Sequence, residues 1–424
     1  MIKTQGVAKE VKSMSAGRII LHSDLNSFYA SVEMMLNPAL RDKAVAVCGS
    51  TEDRHGIVLA KSEKAKKAGV NTGMVTWEAK QYCPELIIVP PQYDQYLKYS
   101  ELARNVYTRY TDLIEPFGMD EAWCDVTGCQ KSGEVIAEEI RQSVREELGM
   151  TVSIGVSFNK IFAKLGSDMK KPDAVTIITQ EDYRDKVWPL PASDLLYVGR
   201  ATTKKLASYG IHTIGDIANT DADFLKRLLG VNGLAIWRYA AGLDHSRVMP
   251  LDHVVPVKSI GHGITCTADL NNAEEVWRVM LELSQDIGHR LRVHKLAATG
   301  VQISVRSNEL SFRQYQAPLP YSTQSPLDIA RMGRELFDRR YTWFTPVRAV
   351  TIRAINLIPQ GQPMQASLFY DMAKIERREK LETAIEDIRR RFGKRAIYSA
   401  ACMGDLKMPG HGTHEVIMPS IMFQ

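Results

Sequence analysis

Three acids in this chain stand where carboxylates are hardest to keep. Asp24 comes near the end of an apolar run, RIILHSDLN at 18–26, and Asp120 and Glu121 lie side by side in IEPFGMDEAWCDVTG at 114–128. The second stretch reads as two short strands about a tight turn at Gly118–Asp120. Acids are costly in such places, because β structure disfavours Asp and Glu and neighbouring like charges repel. A bound cation removes both costs. Hard Mg²⁺ takes oxygen ligands in octahedral geometry, usually a few carboxylates together with substrate phosphates. Two such ions about 3.5–4 Å apart would activate a hydroxyl and stabilise a leaving pyrophosphate in an in-line displacement. Each acid taken alone has a plainer reading: turns accept Asp, and Asp24 could cap the helix that follows.

The elements that must position these acids can be read from period and punctuation. The run at 18–26 reads as a buried strand ending in a polar turn, and SFYASVEMML at 27–36 as a helix with Phe28, Val32, Met35 and Leu36 on one face. Strands at 44–48 and 57–60 flank a polar loop at 50–55, and a lysine-rich helix near 62–68, a short helix at 76–83 and the strand LIIV at 86–89 follow. Residues 94–113 read as one long helix and 132–148 as another. TVSIGVS at 151–157 reads as a half-buried strand, with Val152, Ile154 and Val156 alternating with Thr151, Ser153 and Gly155. Strands interleaved with helices up to Pro189 indicate a mixed α/β (α+β) layer structure. From there the pattern turns helical, with two Gly-containing turns within 193–242. Past a linker around 243–257, residues 258–358 read strand, helix, strand, strand, helix, strand. A Gly/Pro/Gln linker at 359–365 precedes a charged helix and a tail without clear period.

Taken together, S-D-L-N-S-F-Y-A-S-V-E (23–33) and G-M-D-E-A-W-C-D-V (118–126) resemble the Y-family DNA polymerases, the lesion-bypass enzymes, in their bacterial branch. Four further stretches fall in that family's order: 56–70, 153–172, K-S-I-G-H at 258–262, and the helical turn near 198–210, so the resemblance covers roughly 18–358. It implies a right-hand polymerase. The palm would be 18–26 with 92–178, the small fingers 27–91, the helical thumb 179–248 and a βαββαβ little finger 253–358, after an N-terminal extension at 1–17. The implied activity is template-directed addition of deoxynucleotides to a primer end, with low fidelity and tolerance of damaged template, using two Mg²⁺ ions or alternatively Mn²⁺. Asp24 and Asp120 resemble the aspartates that hold both metals, and Glu121 the acid that completes the catalytic-metal site; Leu25 would lend its backbone carbonyl.

The same resemblance assigns the nucleotide's neighbours. Tyr29, next to Phe28, resembles the steric gate that leaves no room for a 2′-hydroxyl, while Lys66 and Lys171 match basic contacts to the triphosphate. The chain departs from the family where Glu63 replaces a common Tyr and Ala60 a common Thr; a carboxylate at 63 would repel a triphosphate unless it turns away or pairs with a neighbouring lysine.

Primer–template DNA would be held by phosphate contacts. The turns at 197–210 and 229–242 resemble helix-hairpin-helix elements, Gly199 belonging to the first, with a packed αα-corner as the alternative. Residues 253–358 hold 13 Lys and Arg against 9 Asp and Glu, and Arg306, Arg313 and Arg353 lie on its strands. In QASLF at 365–369, Gln365, Leu368 and Phe369 resemble the peptide by which bacterial polymerases attach to the sliding clamp; docking onto the protein's own surface is the alternative. Two rivals differ in class: a nucleotide cyclase on a palm-like sheet, and a non-catalytic DNA-bound scaffold. The thumb turns argue against the first, and the presence of all three acids against the second.

Bulk properties agree with a multidomain soluble protein. A chain of 424 residues is too long for one ordinary core and suggests about two to four domains. It has 45% hydrophobic and 24% charged residues, the balance of a globular protein. No apolar run reaches about eighteen residues, so no membrane span is expected. The basic start MIKTQGVAKEVKSMSAGR lacks the apolar core of a secretory signal, and a cytoplasmic monomer is expected. The six cysteines form no C-x-x-C pair and read as reduced thiols, and the net charge of +5 leans mildly toward anionic partners.

Overall fold

The computed structural model describes residues 17–51, 54, 56–362 and 371–409. The described residues form two compact units, one of residues 17–49 and 57–254, the other of residues 255–362 and 371–409 together with those described between 50 and 56.

In the first unit the chain runs β1 (Ile20–Leu25), α1 (Phe28–Leu36), β2 (Val45–Cys48), β3 (Val58–Lys61), α2 (Glu63–Lys67), α3 (Thr76–Tyr82), β4 (Ile87–Val89) and α4 (Tyr93–Tyr107). It continues with β5 (Ile114–Pro116), β6 (Glu121–Asp125), α5 (Gly133–Leu148), β7 (Val152–Ser157), α6 (Lys160–Met169) and β8 (Val175–Ile177). Five strands make one sheet in the order β5-β6-β1-β7-β8. The apolar residues of β1 place it at the centre, where all six of its residues are buried. It runs antiparallel to both neighbours, and Asp24 pairs with Glu121 on one side and Ser153 on the other.

The strand at 151–157 is not half-buried: every residue of β7 is covered. Val152, Ile154 and Val156 join a core with α4 and α5. The opposite face lies directly against α6, and Gly155 permits it: a Cβ there would stand 1.9 Å from the carbonyl oxygen of Ala163. The helix expected over 94–113 stops at Tyr107. The chain must reverse to lay β5 beside β6, and Thr111 helps hold the reversal by donating to the Asp125 carbonyl at 2.7 Å.

A smaller sheet in the order β3-β2-β4 carries α2 and α3 over a core of Ala46, Val58, Ala65, Val70 and Ala79. Five helices follow: α7 (Tyr183–Val187), α8 (Arg200–Ala207), α9 (Ile214–Asn219), α10 (Ala222–Leu229) and α11 (Val231–Ala240). They pack around Leu195, Leu206, Ile214 and Leu225 together with Phe162 of α6.

The second unit contains β9 (Ile260–Leu270), α12 (Ala273–Val293), β10 (Leu296–Ser307), β11 (Phe312–Thr323), α13 (Pro326–Arg340) and β12 (Val347–Pro359), in the order read from the sequence. Its sheet is antiparallel throughout, β11-β10-β12-β9, with α12 and α13 sharing its core. The charged helix α14 (Met372–Phe392) is tied to this unit by Glu382, which pairs with Arg292 at 2.9 Å and accepts from Ser325 at 2.6 Å. The tail, featureless as sequence, buries Cys402 and Leu406 against Leu281 and Ala330. Among the described residues, no helix is long and apolar enough to cross a membrane.

Candidate active site

The acids meet through strand register. Asp24 at the end of β1 lies opposite Glu121, the first residue of β6, and the Leu25 amide donates to the Asp120 carbonyl at 2.9 Å. Gly118, with φ 111°, supplies the left-handed backbone of the turn before them. Three carboxylates separated by nearly a hundred residues of chain are thus neighbours, and Asp24 is only 6% exposed.

The crossing of α6 over β7 at Gly155 and Gly166 brings a second set of charges to them. Lys164 lies 3.2 Å from Asp24, 3.1 Å from Glu121 and 3.1 Å from Asp168. Lys171 lies 2.7 Å from Asp24 and 2.8 Å from Asp168. Its segment is held by Asn26, whose side-chain oxygen accepts from the Asp173 amide at 2.9 Å while its NH₂ donates to Ser153 at 2.9 Å. His22 stands below, fully buried, with Nδ1 2.8 Å from Ser167 Oγ and Nε2 3.4 Å from Glu121 Oε2. Ser167 also contacts the Lys164 carbonyl at 2.7 Å, which uses the hydroxyl's one proton. His22 therefore donates through Nδ1, and its neutral form turns a bare lone pair on Nε2 toward Glu121.

The electrostatics follow from this crowding. Burial pushes Asp120 up to about 7, with Glu121 and Asp24 adding to the shift. Burial likewise raises Asp24, Lys164 pulls it back and Glu121 adds to the rise. Burial would lower the Lys164 ammonium, but Glu121, Asp24 and Asp168 outweigh it and hold its pKa high. His22 is held well below its ordinary value by burial and by Lys164, and so stays neutral.

These residues fit a hard cation in charge and donor type. Glu121 Oε2 is buried without a hydrogen-bond partner among the described residues, and burial together with the charges of Glu121 and Asp24 keeps Asp120 elevated, a cost that a cation would relieve. The donors are oxygens, as Mg²⁺ requires. Among the described residues, no three His, Cys, Asp or Glu side chains already stand at gripping distance around one point. Lys164 is the counter-charge between Asp24 and Glu121 instead.

Beside the acids opens a cavity of about 280 Å³. Asp24, Asp120 and Glu121 line one part of its wall, Lys61, Lys66 and Lys171 others, and Phe28, otherwise buried, also lines it. Tyr29 does not line it directly. Its ring stacks on Tyr96 at 4.1 Å with an interplanar angle of 8° and meets Tyr93 edge-on at 6.1 Å. Tyr96 is fixed in turn by donating to the buried Glu33 at 2.5 Å. Asp120 contributes, after burial, to raising the Tyr29 hydroxyl, so that hydroxyl lies within the field of the acids. Glu63 also lines the cavity, where it accepts from Ser27 at 3.0 Å, and among the described residues it makes no salt bridge to Lys66 or Lys67. Ala60 faces the same space.

The sequence relationships match this geometry. The family model described as impB/mucB/samB matches residues 23–168, and that of its C-terminal domain matches residues 257–368. The DNA polymerase IV of Acetivibrio thermocellus is 48% identical over 379 residues, covering 89% of this chain and 95% of that one. The chain belongs to this family, the Y-family DNA polymerases. Other members are the DNA polymerase IV of Moorella thermoacetica, 37% identical over 91% of this chain and 96% of its own, and DNA polymerase IV 1 of Bacillus subtilis, 35% identical over 93% and 96%. A solved Y-family DNA polymerase chimera shares the fold, with a TM-score of 0.71 and 23% identity over 81% of this chain and 100% of its own.

The family's motifs, as they stand in this chain, point to the three acids but not to Lys164, Asp168 or His22. The spacing of Lys164, Asp168 and Lys171 along one helix and its exit was the available signal. In the helical region Gly199 is the N-cap of α8, and no side chain caps the helix. A short 3-10 turn, Ala192–Asp194, precedes this corner in place of a full helix. The second turn is a tight hairpin of α10 and α11 about Gly230, and a Cβ on Gly233 would stand 2.0 Å from the Leu225 carbonyl. In the second unit Arg306 and Arg353 share the face turned away from the helices: Arg353 pairs with Gln302, and Arg306 with Ala349. Arg313 pairs with the buried Val305 and so lies on the opposite face, at the edge strand. Gln365, Leu368 and Phe369 lie outside the described residues.

Proposed function

We propose that this DNA-directed DNA polymerase adds deoxynucleotides to a primer end at the cavity beside β1 and β6, during synthesis across damaged template. The observation that carries this reading is the direct pairing of Asp24 with Glu121, with Asp120 alongside, on the wall of a cavity that also presents lysines. Asp24 and Asp120 would hold both of two Mg²⁺ ions, Glu121 would complete the site of the catalytic one, and Leu25 would lend its carbonyl. Bound there, the ions would supply Lewis-acid activation of the primer hydroxyl and neutralise the leaving pyrophosphate.

The protein's own residues do the rest. Phe28 offers a surface to the nucleotide, and Tyr29, braced by Tyr96, limits the space at the sugar's 2′ position. Lys66 and Lys171 neutralise phosphate charge. Lys164 balances the charge of Asp24 and Glu121, the two acids that would turn to the ions when these are bound. Gly199, Arg306 and Arg353 give contacts to the DNA backbone without reading sequence. We place the protein in the cytoplasm as a monomer that a bacterial sliding clamp tethers through Gln365, Leu368 and Phe369. Tethering raises the local concentration at the primer end.

Primer extension with Mg²⁺ tests the whole reading: extension by the wild type and none without a divalent ion is the expected result. Titration of a peptide spanning 362–372 against the clamp tests the tether, and no detectable binding would remove it.

A further inference from the structure

Four lysines stand at the acids or on the wall of the cavity beside them, and they are not equivalent. Lys164 and Lys171 are both committed to carboxylates: Asp24, Glu121 and Asp168 for the first, Asp24 and Asp168 for the second. Lys61, at the end of β3, and Lys66, in α2, make no salt bridge among the described residues, yet both line the cavity. Nothing in the family motifs pointed to Lys61.

Its surroundings are built rather than loose. Lys61 Nζ donates to Thr72 Oγ1 at 3.1 Å, and Thr72 also lines the cavity. The turn carrying Thr72 is pinned to β3 on both sides, since the Gly73 amide donates to the Val58 carbonyl and the Val58 amide to the Met74 carbonyl, each at 2.8 Å. Gly73 takes the φ of 88° that this turn needs. An ammonium has three donors and Lys61 uses one on Thr72, so two remain; the threonine hydroxyl, having accepted, still has its own proton to give. Burial lowers the Lys61 ammonium's pKa and Lys66 lowers it further, while Glu63 pulls it back only in part, so the pair of lysines leaves cationic charge on this wall of the cavity. Glu63, the one acid on this segment that lines the cavity, is engaged by Ser27.

We infer that Lys61 and Thr72 form a phosphate-binding arm of the nucleotide site, gripping the triphosphate tail from the wall of the cavity built by β3 and the 71–74 turn. The inference rests on the polymerase reading above. It answers the question raised by Glu63 and Ala60: this chain holds the tail with a lysine and a threonine from β3 and the 71–74 turn. Each contact is charge-assisted or donated to a charged oxygen, the stronger class of hydrogen bond.

The test is steady-state incorporation of one deoxynucleotide by full-length protein on a primer–template. Lys61→Met keeps most of the stem and removes the charge. It is expected to raise the KM for the nucleotide about tenfold while kcat falls far less, the mark of lost ground-state binding. Lys61→Arg should recover most of that loss, and Thr72→Val should raise KM by about threefold, as one lost hydrogen bond does. Competition separates an arm from a merely structural lysine. Lys61→Met should weaken inhibition by a non-hydrolysable deoxynucleoside triphosphate and leave inhibition by the monophosphate unchanged. With wild-type extension as the control for the polymerase reading, an unchanged KM in Lys61→Met overturns the arm alone. Equal weakening of both inhibitors overturns it too, because that would mean a disturbed fold.

Discussion

The acid centre of the first unit and the outer sheet face of the second handle charge in opposite ways. At the centre, three carboxylates and two lysines are packed within a few ångströms and largely buried, so burial and neighbouring charge together shift the pKa values of Asp120, Asp24 and Lys164. On the sheet face, Arg306 and Arg353 are exposed among Gln302, Ser304 and Thr351. Concentrated, desolvated charge is worth a great deal and tolerates no substitution. Dispersed, solvated charge adds up slowly and is screened by salt. The first arrangement suits chemistry at one point; the second suits holding a long uniform polyanion.

The sharpest way to break this contrast is to neutralise the centre without changing its shape. Asp120→Asn or Glu121→Gln should lower nucleotide addition on the order of a thousandfold or more, with duplex affinity changed less than about twofold. Single-turnover extension and a filter-binding titration read the two quantities separately. Comparable losses in both would mean that the acids hold structure and not ions.

Next in size is sugar selection. Tyr29→Ala should raise ribonucleotide incorporation relative to deoxyribonucleotide by about a hundredfold, since a gate works by excluding a hydroxyl and not by binding. Tyr96→Phe removes only the bond to Glu33 that steadies the stacked ring, and a shift of about threefold is expected. A selectivity ratio unmoved by Tyr29→Ala would place that ring in the core alone.

The centre also has a pH signature. The folded pKa of Asp120, about 7, lies above its ordinary 3.8, so the folded protein binds that proton more tightly than the unfolded chain. Its contribution to stability is therefore fully present in acid, declines as pH rises from about 4 to about 7, and is lost above. In the presence of a chelator, melting should come at a lower temperature at about pH 8 than at about pH 5.5, and Asp120→Asn should flatten that slope. Mg²⁺ added at the higher pH should recover the loss, because an ion that binds only the folded state stabilises it. A slope that Asp120→Asn leaves untouched would assign it to other groups.

How much of this was legible depended on whether a feature is local. Asp24, Asp120 and Glu121 sit in contiguous motifs, and the strand, helix, strand, strand, helix, strand order of the second unit follows from period alone. Lys164 and Asp168 could not be assigned that way, because their place at the acids comes from α6 crossing β7 at Gly155, a contact between elements. The same crossing buried the second face of β7, which alternation had left open to solvent. The period over 94–113 runs past the helix end at Tyr107 for a related reason: the helix stops there so that β5 can pair with β6, and no helix breaker marks the place. Cys402 and Leu406 lie in a segment without period, and only the groove they fill shows that they are core.

The smallest expected effects lie on the sheet face, and they decide whether its charge is organised or incidental. The three arginines read from sequence do not share a surface, since strand pairing puts Arg306 and Arg353 on the outer face and Arg313 on the other. Each phosphate contact contributes about 0.9 to the slope of log K against log salt for duplex DNA. Arg306→Ala and Arg353→Ala should each lower that slope by about one and weaken binding severalfold at moderate ionic strength, equally for unrelated duplex sequences. Arg313→Ala should leave the slope unchanged, although its exposure and charge are the same in kind. Non-specific attraction to a basic domain would make the three variants alike, because at long range only net charge counts. A difference between Arg313 and the other two would therefore show that the outer face, and not the unit's charge as a whole, meets the DNA.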